Sequence, residues 1–366
     1  MNDATYLLQK ICQQIVLSDT AKKTVVREYS ALGNLISNST RIAYDVDIKP
    51  QGSYNLGTAI QPIHGSADDF DIDLVAIVHG DELARETKQS IGDVLKSSSL
   101  YSQKLLPEKR RAWTIEYTNS HVDIVPAIDN PSADVSITNK LKNGQYEYRQ
   151  SSPFAFKTWF CEKSQNVFQS NPETVSNVRA DVEAPEDYSD YTILQKVVQL
   201  LKFHRNVMFE SRDKAIKPIS MIITILAAES YSGQDDLSQA LTEVTNELRK
   251  QIVYDSYGNS HILNPVNPLE DFADKWIDHP EREKAFFEWL DAVELQLGDV
   301  NRREIISLNQ TLSGIYGKDR VRFAFKALGE KQSKMQRQGN ISIVASGVLG
   351  GESSGKKVRP HTFWGD

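Results

Sequence analysis

Nine residues, Phe70-Asp71-Ile72-Asp73-Leu74-Val75-Ala76-Ile77-Val78, constrain this chain more than any other stretch. Side chains alternate along a strand, so Asp71 and Asp73 share one face while Phe70, Ile72 and Leu74 turn to the other. The apolar residues at 75–78 bury the strand and leave its carboxylates at one end. Two carboxylates so close repel each other unless a cation lies between them. Alone, the pair also reads as the solvent face of an amphipathic strand.

Its company decides between those readings. Gly52-Ser53 and Gly57-Thr58 lie upstream; glycine lets backbone approach phosphate oxygens closely, and a hydroxyl can donate to them. A third carboxylate, Asp123, sits in Val122-Asp123-Ile124-Val125, a second stretch that reads as a strand. Three such aspartates can bind two hard cations, and magnesium, which prefers oxygen ligands and substrate phosphates, is the usual one. Asp123 is then the general base or its metal-bound equivalent. Asp68 and Asp69 could be mistaken for the metal pair, but adjacent residues point to opposite faces of a strand.

Around these motifs the pattern predicts an α+β protein. Leu7, Leu8, Ile11, Cys12, Ile15 and Val16 recur at helical spacing, and Ser18 caps a second helical stretch through Val25, Val26, Tyr29 and Leu32. A strand over 43–48 feeds the Gly52-Ser53 turn. A helix is expected over 81–100, strands over 112–117, 121–126 and 145–148, and a helix from Pro153 to Phe168. A polar linker at 171–187 precedes helices over 191–209, 219–228, 280–297, 305–315 and 319–328. Residues 1–170 thus form a mixed-sheet lobe that includes the long N-terminal helix, 171–346 a helical lobe, and 347–366 a flexible tail rich in glycine, serine and basic residues.

At 366 residues the chain has room for two such lobes. Its two cysteines lack metal-ligand spacing and suit a reducing cytoplasm, and no targeting segment or membrane span is legible. A net charge of -7 argues against coating a long nucleic acid. The densest basic cluster, Lys104, Lys109, Arg110 and Arg111, reads as a solvated face. Gly350-Gly351-Glu352-Ser353-Ser354-Gly355-Lys356-Lys357 mimics a phosphate loop, but Lys357 replaces the metal-binding hydroxyl and Pro360 leaves no room for the following helix.

Gly52-Ser53, Asp71-x-Asp73 and Asp123 resemble the motif of the polymerase-beta-like nucleotidyltransferases. The stretch at 194–206 and Lys217-Pro218-Ile219-Ser220 narrow the likeness to the bacterial CD-NTases, relatives of cyclic GMP-AMP synthase and oligoadenylate synthetase. The resemblance implies a nucleotidyltransferase lobe, with a small mixed sheet flanked by helices, facing an α-helical C-terminal lobe across the active-site cleft. It implies a synthase that joins NTPs, ATP first and GTP second, into a cyclic di- or trinucleotide in antiphage (CBASS) signalling. Two Mg2+ ions, replaceable by Mn2+, would be bound by Asp71, Asp73 and Asp123. Gly52, Ser53, Lys202 and Ser220 would hold the nucleotide, and a HORMA-type or conjugation partner would act on the tail. Two alternatives are a template-independent transferase that extends RNA or modifies a protein or small molecule, and an idle nucleotide-binding scaffold.

Overall fold

The computed structural model describes residues 2–64, 70–118, 120–164, 182–183, 190–338, 342–343, 349–350 and 356–357. Asp68-Asp69, most of the expected linker and most of the tail lie outside the described residues.

Two capped helices open the chain. Asn2 accepts from the Thr5 amide to start α1 (Asp3–Ile15), and Ser18 accepts from the Ala21 amide to start α2 (Asp19–Ser37). There follow β1 (Val46–Gln51), a single turn α3 (Gly52–Asn55), β2 (Phe70–Val78), α4 (Ala84–Ser97), β3 (Trp113–Glu116), β4 (Ser120–Asp129), β5 (Val135–Lys140), β6 (Tyr146–Ser151) and α5 (Pro153–Lys163). The strands build one sheet in the order β1-β2-β4-β5-β6, with β3 also on β4. Only the β2–β4 pairing is parallel among these.

The expected strand over 43–48 lies three residues later, because Val46 pairs with Val78 and the register runs on to Gln51 opposite Asp73. Pro50 is tolerated there since β1 is an edge strand, where a missing N–H costs no ladder bond. β5 was not foreseen: only Val135 and Ile137 carry its apolar alternation.

The second lobe holds α6 (Ile193–Met208), α7 (Ser220–Ser230), α8 (Leu237–Glu247), α9 (Pro280–Leu297), α10 (Ile305–Tyr316) and α11 (Lys318–Arg337). Between α8 and α9 it also carries short antiparallel pairs: β7 (Val253–Tyr254) with β8 (Ser260–His261), and β9 (Leu263–Asn264) with β10 (Asn267–Asp271). A wholly helical reading therefore missed α8 and these pairs.

The N-terminal helices divide between the lobes. α2 packs on the sheet face formed by Ile72, Leu74, Ala76, Val78, Val122 and Ile124. α1 joins the helical core instead, where Leu7, Leu8, Ile11 and Ile15 are wholly buried. Each such aliphatic side chain contributes about 1.5–3 kcal/mol on burial, so α1 belongs energetically with α6, α8 and α11 rather than with the sheet whose sequence it precedes. Just before the tail, Ile343 and Ser342 pair with Leu349 and Lys357 of the tail itself, respectively. Lys356 and Lys357 thus lie on a short strand, not at the start of a helix.

Candidate active site

Asp73 and Asp123 are fifty positions apart in sequence and exact neighbours in the sheet: parallel β2 and β4 set them in register. Adjacent strands lie about 4.8 Å apart, and residues in register present their side chains on the same face. Asp71, two residues upstream, pairs with His121 in the same register; its side chain lies outside the described residues. The sheet thus sets Asp73 beside Asp123, with Asp71 two positions along the same strand.

Gly52 is placed against them by β1. Gln51 pairs with Asp73, and the chain then turns at Gly52 with φ +72°, a left-handed conformation that favours glycine. A Cβ at this position would lie 2.0 Å from Asp73 Oδ2. The glycine is required twice, by its backbone angle and by the carboxylate packed against its Cα. Ser53 follows in α3, and its carbonyl accepts from the Thr58 amide at 2.9 Å and from the Thr58 hydroxyl.

Asp123 is dressed by cationic and hydroxyl donors. Thr114, its antiparallel neighbour on β3, donates to Oδ1. The Lys109 ammonium donates to Oδ1 at 3.0 Å and Oδ2 at 3.2 Å. The loop that carries Lys109 is held from beneath by Lys88, a buried lysine whose Nζ donates to the carbonyls of Lys109 and Arg110 at 2.8 and 2.9 Å. Desolvation pulls the Lys88 pKa down to about 8, with Glu108 opposing the shift.

The helical lobe reaches the glycine turn from behind. Gln195, Gln199 and Lys202 lie on one face of α6, and they donate in sequence to the carbonyls of Leu56 (3.0 Å), Gly57 (2.9 Å) and Thr58 (2.7 Å). All three are buried. Lys202, expected at the triphosphate, is 3% exposed, and its ammonium is engaged on the turn. Ser220 is the first residue of α7, and its Oγ accepts from Arg205, which also donates to the Pro218 carbonyl.

Beside Ser220 a cavity of about 410 Å3 opens between β5–β6 and the helical lobe, lined by Arg111, Arg149, Lys217, Lys275 and Arg282 with Asp274 among others. Arg111 is substantially desolvated: burial draws its pKa down, Asp274 opposes, and its Nε is buried without a hydrogen-bond partner among the described residues. The basic cluster read from sequence as a solvated face is therefore divided by the fold. Lys109 is on Asp123, Arg111 lines the cavity, and Lys104 lies over the Tyr117 ring at 4.5 Å. Nothing in a single sequence distinguishes these three fates. Gln195 and Gln199 were missed because they sit inside an apolar helical stripe.

Asp73 and Asp123, at adjacent register positions, offer the all-oxygen donor chemistry that a hard divalent cation takes, and one cationic group is drawn onto Asp123; among the described residues no group of three or more His, Cys, Asp or Glu side chains is gathered to hold a metal ion.

Residues 1–164 match the Second Messenger Oligonucleotide or Dinucleotide Synthetase domain. The chain is 28% identical to a c-di-GMP synthase of Roseivirga ehrenbergii, over 98% of this chain and 96% of that protein. Its fold is similar to that of the Bradyrhizobium diazoefficiens CD-NTase CdnG, solved in complex with GTP, with a TM-score of 0.68 and 19% identity over 90% of this chain and 100% of that one. It is also similar to the Escherichia coli MS115-1 CdnC:HORMA-deltaN complex, with a TM-score of 0.56 and 15% identity over 85% of this chain and 96% of that one.

Proposed function

We propose that this chain is a CD-NTase, a reading supported by its match to the synthetase domain, its likeness to a c-di-GMP synthase and its fold, and that it joins nucleoside triphosphates into a cyclic dinucleotide, releasing pyrophosphate at each bond. The observation that carries the reading is Asp73 in register with Asp123, with Gly52 folded against Asp73. The attacking 3'-hydroxyl of one nucleotide forms a bond to the α-phosphorus of the next, the bond from that phosphorus to the β-phosphate oxygen breaks, and the hydroxyl proton passes to Asp123 or to water. A second transfer within the linear product closes the ring.

Asp71, Asp73 and Asp123 are the residues that would hold magnesium, which when bound acidifies a hydroxyl and neutralises charge on the leaving pyrophosphate. Gly52 and Ser53 present the turn that receives phosphates. Lys202 serves that turn through the Thr58 carbonyl, and Ser220 with Arg205 marks the helical side of the nucleotide site. The likeness to a c-di-GMP synthase and to a GTP-bound relative puts GTP ahead of ATP as the first substrate to test. An antiphage (CBASS) role belongs to the same reading. So does control by a HORMA-type partner, which rests on the likeness to a protein solved with one.

Among the described residues no helix is long and apolar enough to cross a membrane. The test is incubation of the purified chain with all four NTPs and Mg2+, followed by mass spectrometry of phosphatase-resistant products. A guanine-containing cyclic dinucleotide is expected, and none from Asp73→Asn with Asp123→Asn in a chain that still folds. Products that form only when an acceptor RNA or protein is added would replace this reading with a tailing or modifying transferase. Turnover surviving the double substitution would remove the aspartates from the chemistry.

A further inference from the structure

Lys109 is held too firmly for an incidental surface ion pair. Its ammonium spans both oxygens of Asp123, with the two side chains 49% and 25% exposed. The backbone beneath it is fixed from several directions. The Lys109 amide donates to the Ala112 carbonyl at 3.2 Å, the Lys140 amide donates to the Arg110 carbonyl at 2.8 Å, and the buried Lys88 takes the carbonyls of both Lys109 and Arg110. Glu108, next in the chain, is tied to Lys140 and Tyr146. A fully buried lysine is costly, because its charge must be desolvated. Here its two hydrogen bonds fix the backbone at Lys109 and Arg110, the stretch from which the Lys109 side chain reaches Asp123.

Two in-register carboxylates need a positive charge nearby, and a divalent cation bound by Asp123 cannot share its oxygens with an ammonium group at 3.0 Å without strong repulsion. We propose that Lys109 is a built-in counter-ion for the aspartate pair, occupying Asp123 before the divalent cation arrives and competing with it for the same oxygens. The proposal rests on the reading of Asp73 and Asp123 as metal ligands. Lys109 thus discourages binding of the bare cation, and the additional negative charge of an incoming triphosphate tips the exchange toward the metal. The flexible four-carbon stem and half-exposed head give the ammonium room to leave without moving the loop.

The experiment measures Mn2+ binding to the full chain without nucleotide, by loss of the free-ion electron paramagnetic resonance signal, in wild type, Lys109→Met, Lys109→Arg and Asp123→Asn. Lys109→Met keeps the stem and removes the charge, and it should bind Mn2+ about tenfold more tightly, on the order expected for removing one charge near a partly exposed site. Lys109→Arg should restore the weaker wild-type affinity. Equal affinity in wild type and Lys109→Met, with Asp123→Asn weakened, would overturn the counter-ion role and leave the metal site standing. No effect of Asp123→Asn on Mn2+ binding would overturn the metal reading and this proposal with it.

Discussion

Replacing Gly52 with alanine tests the geometry of the site most directly, because the added methyl group has one destination. Its carbon would lie 2.0 Å from Asp73 Oδ2, 2.7 Å from Cγ and 3.0 Å from Cβ, whereas ordinary contact begins at 3.4 Å. Either the carboxylate oxygen retreats by about 1.4 Å, or the turn moves away from β2 by a similar amount. Misplacement by about 1 Å is enough to cost on the order of 100-fold in rate when reacting groups must be aligned. The backbone adds its own penalty, since φ of +72° costs an L-residue about 1–2 kcal/mol. We expect kcat for pyrophosphate release to fall by about 100-fold or more, with a melting temperature lower by a few degrees. Turnover is followed by coupled pyrophosphate detection at saturating NTP and Mg2+, and stability by thermal unfolding of the same preparation. The decisive comparison is activity per folded molecule. If Gly52→Ala loses the expected stability but turns over within threefold of wild type, the contact with Asp73 does not govern the chemistry, and the argument from Gly52 fails.

Two further outcomes follow from the buried polar groups. Gln199→Met removes the donor to the Gly57 carbonyl and should destabilise the chain by about 1–3 kcal/mol. It should also raise KM for NTP several-fold with a smaller change in kcat; an unchanged KM would show that the α6 contacts do not shape the phosphate turn. Lys88 supplies a pH test. Its folded pKa of about 8 lies below the ordinary 10.5, so between those values the unfolded chain binds more protons and stability rises with pH, by up to about 3 kcal/mol from this group. Urea unfolding of wild type and Lys88→Met at pH 7, 8.5 and 10 should show their difference moving in favour of wild type as pH rises, and a constant difference would contradict the desolvation argument.

Much of the β2–β4 pair was legible because one short periodicity orders both the strand and its carboxylates. Alternation at 70–74 put Asp71 and Asp73 on one face, and the similar pattern at 121–125 put Asp123 in a strand. That these strands are parallel neighbours in register is a tertiary fact, fixed by the crossover through α4 and β3 between them. The same limit explains the misplaced start of β1, whose bounds come from pairing with β2 and not from its own alternation. It explains α1 as well. An amphipathic helix declares which of its faces is buried but not which lobe will cover that face. Lys109 and Arg111 differ by two positions in one basic run, yet they reach different groups because the turn between β3 and the preceding loop separates them.

The segment between β1 and β2 gives the two-lobe arrangement its mechanical sense. Its carbonyls at Leu56, Gly57 and Thr58 are taken by α6, the Gln61 amide donates to the Ile15 carbonyl at the end of α1 at 2.8 Å, and Arg320 of α11 donates to the Ile63 carbonyl. The turn that follows Gly52 is therefore fastened to the helical lobe along its length, while Asp73 and Asp123 are fastened to the sheet. Gly52 is the point where the two sets of constraints meet, with no side chain to keep them apart. An error introduced on α6 and an error introduced at Gly52 displace the same turn relative to the same carboxylate, from opposite sides. Combined in one chain, Gln199→Met and Gly52→Ala should accordingly cost less in kcat/KM than the product of their separate losses, because residues acting on one shared geometry are not additive.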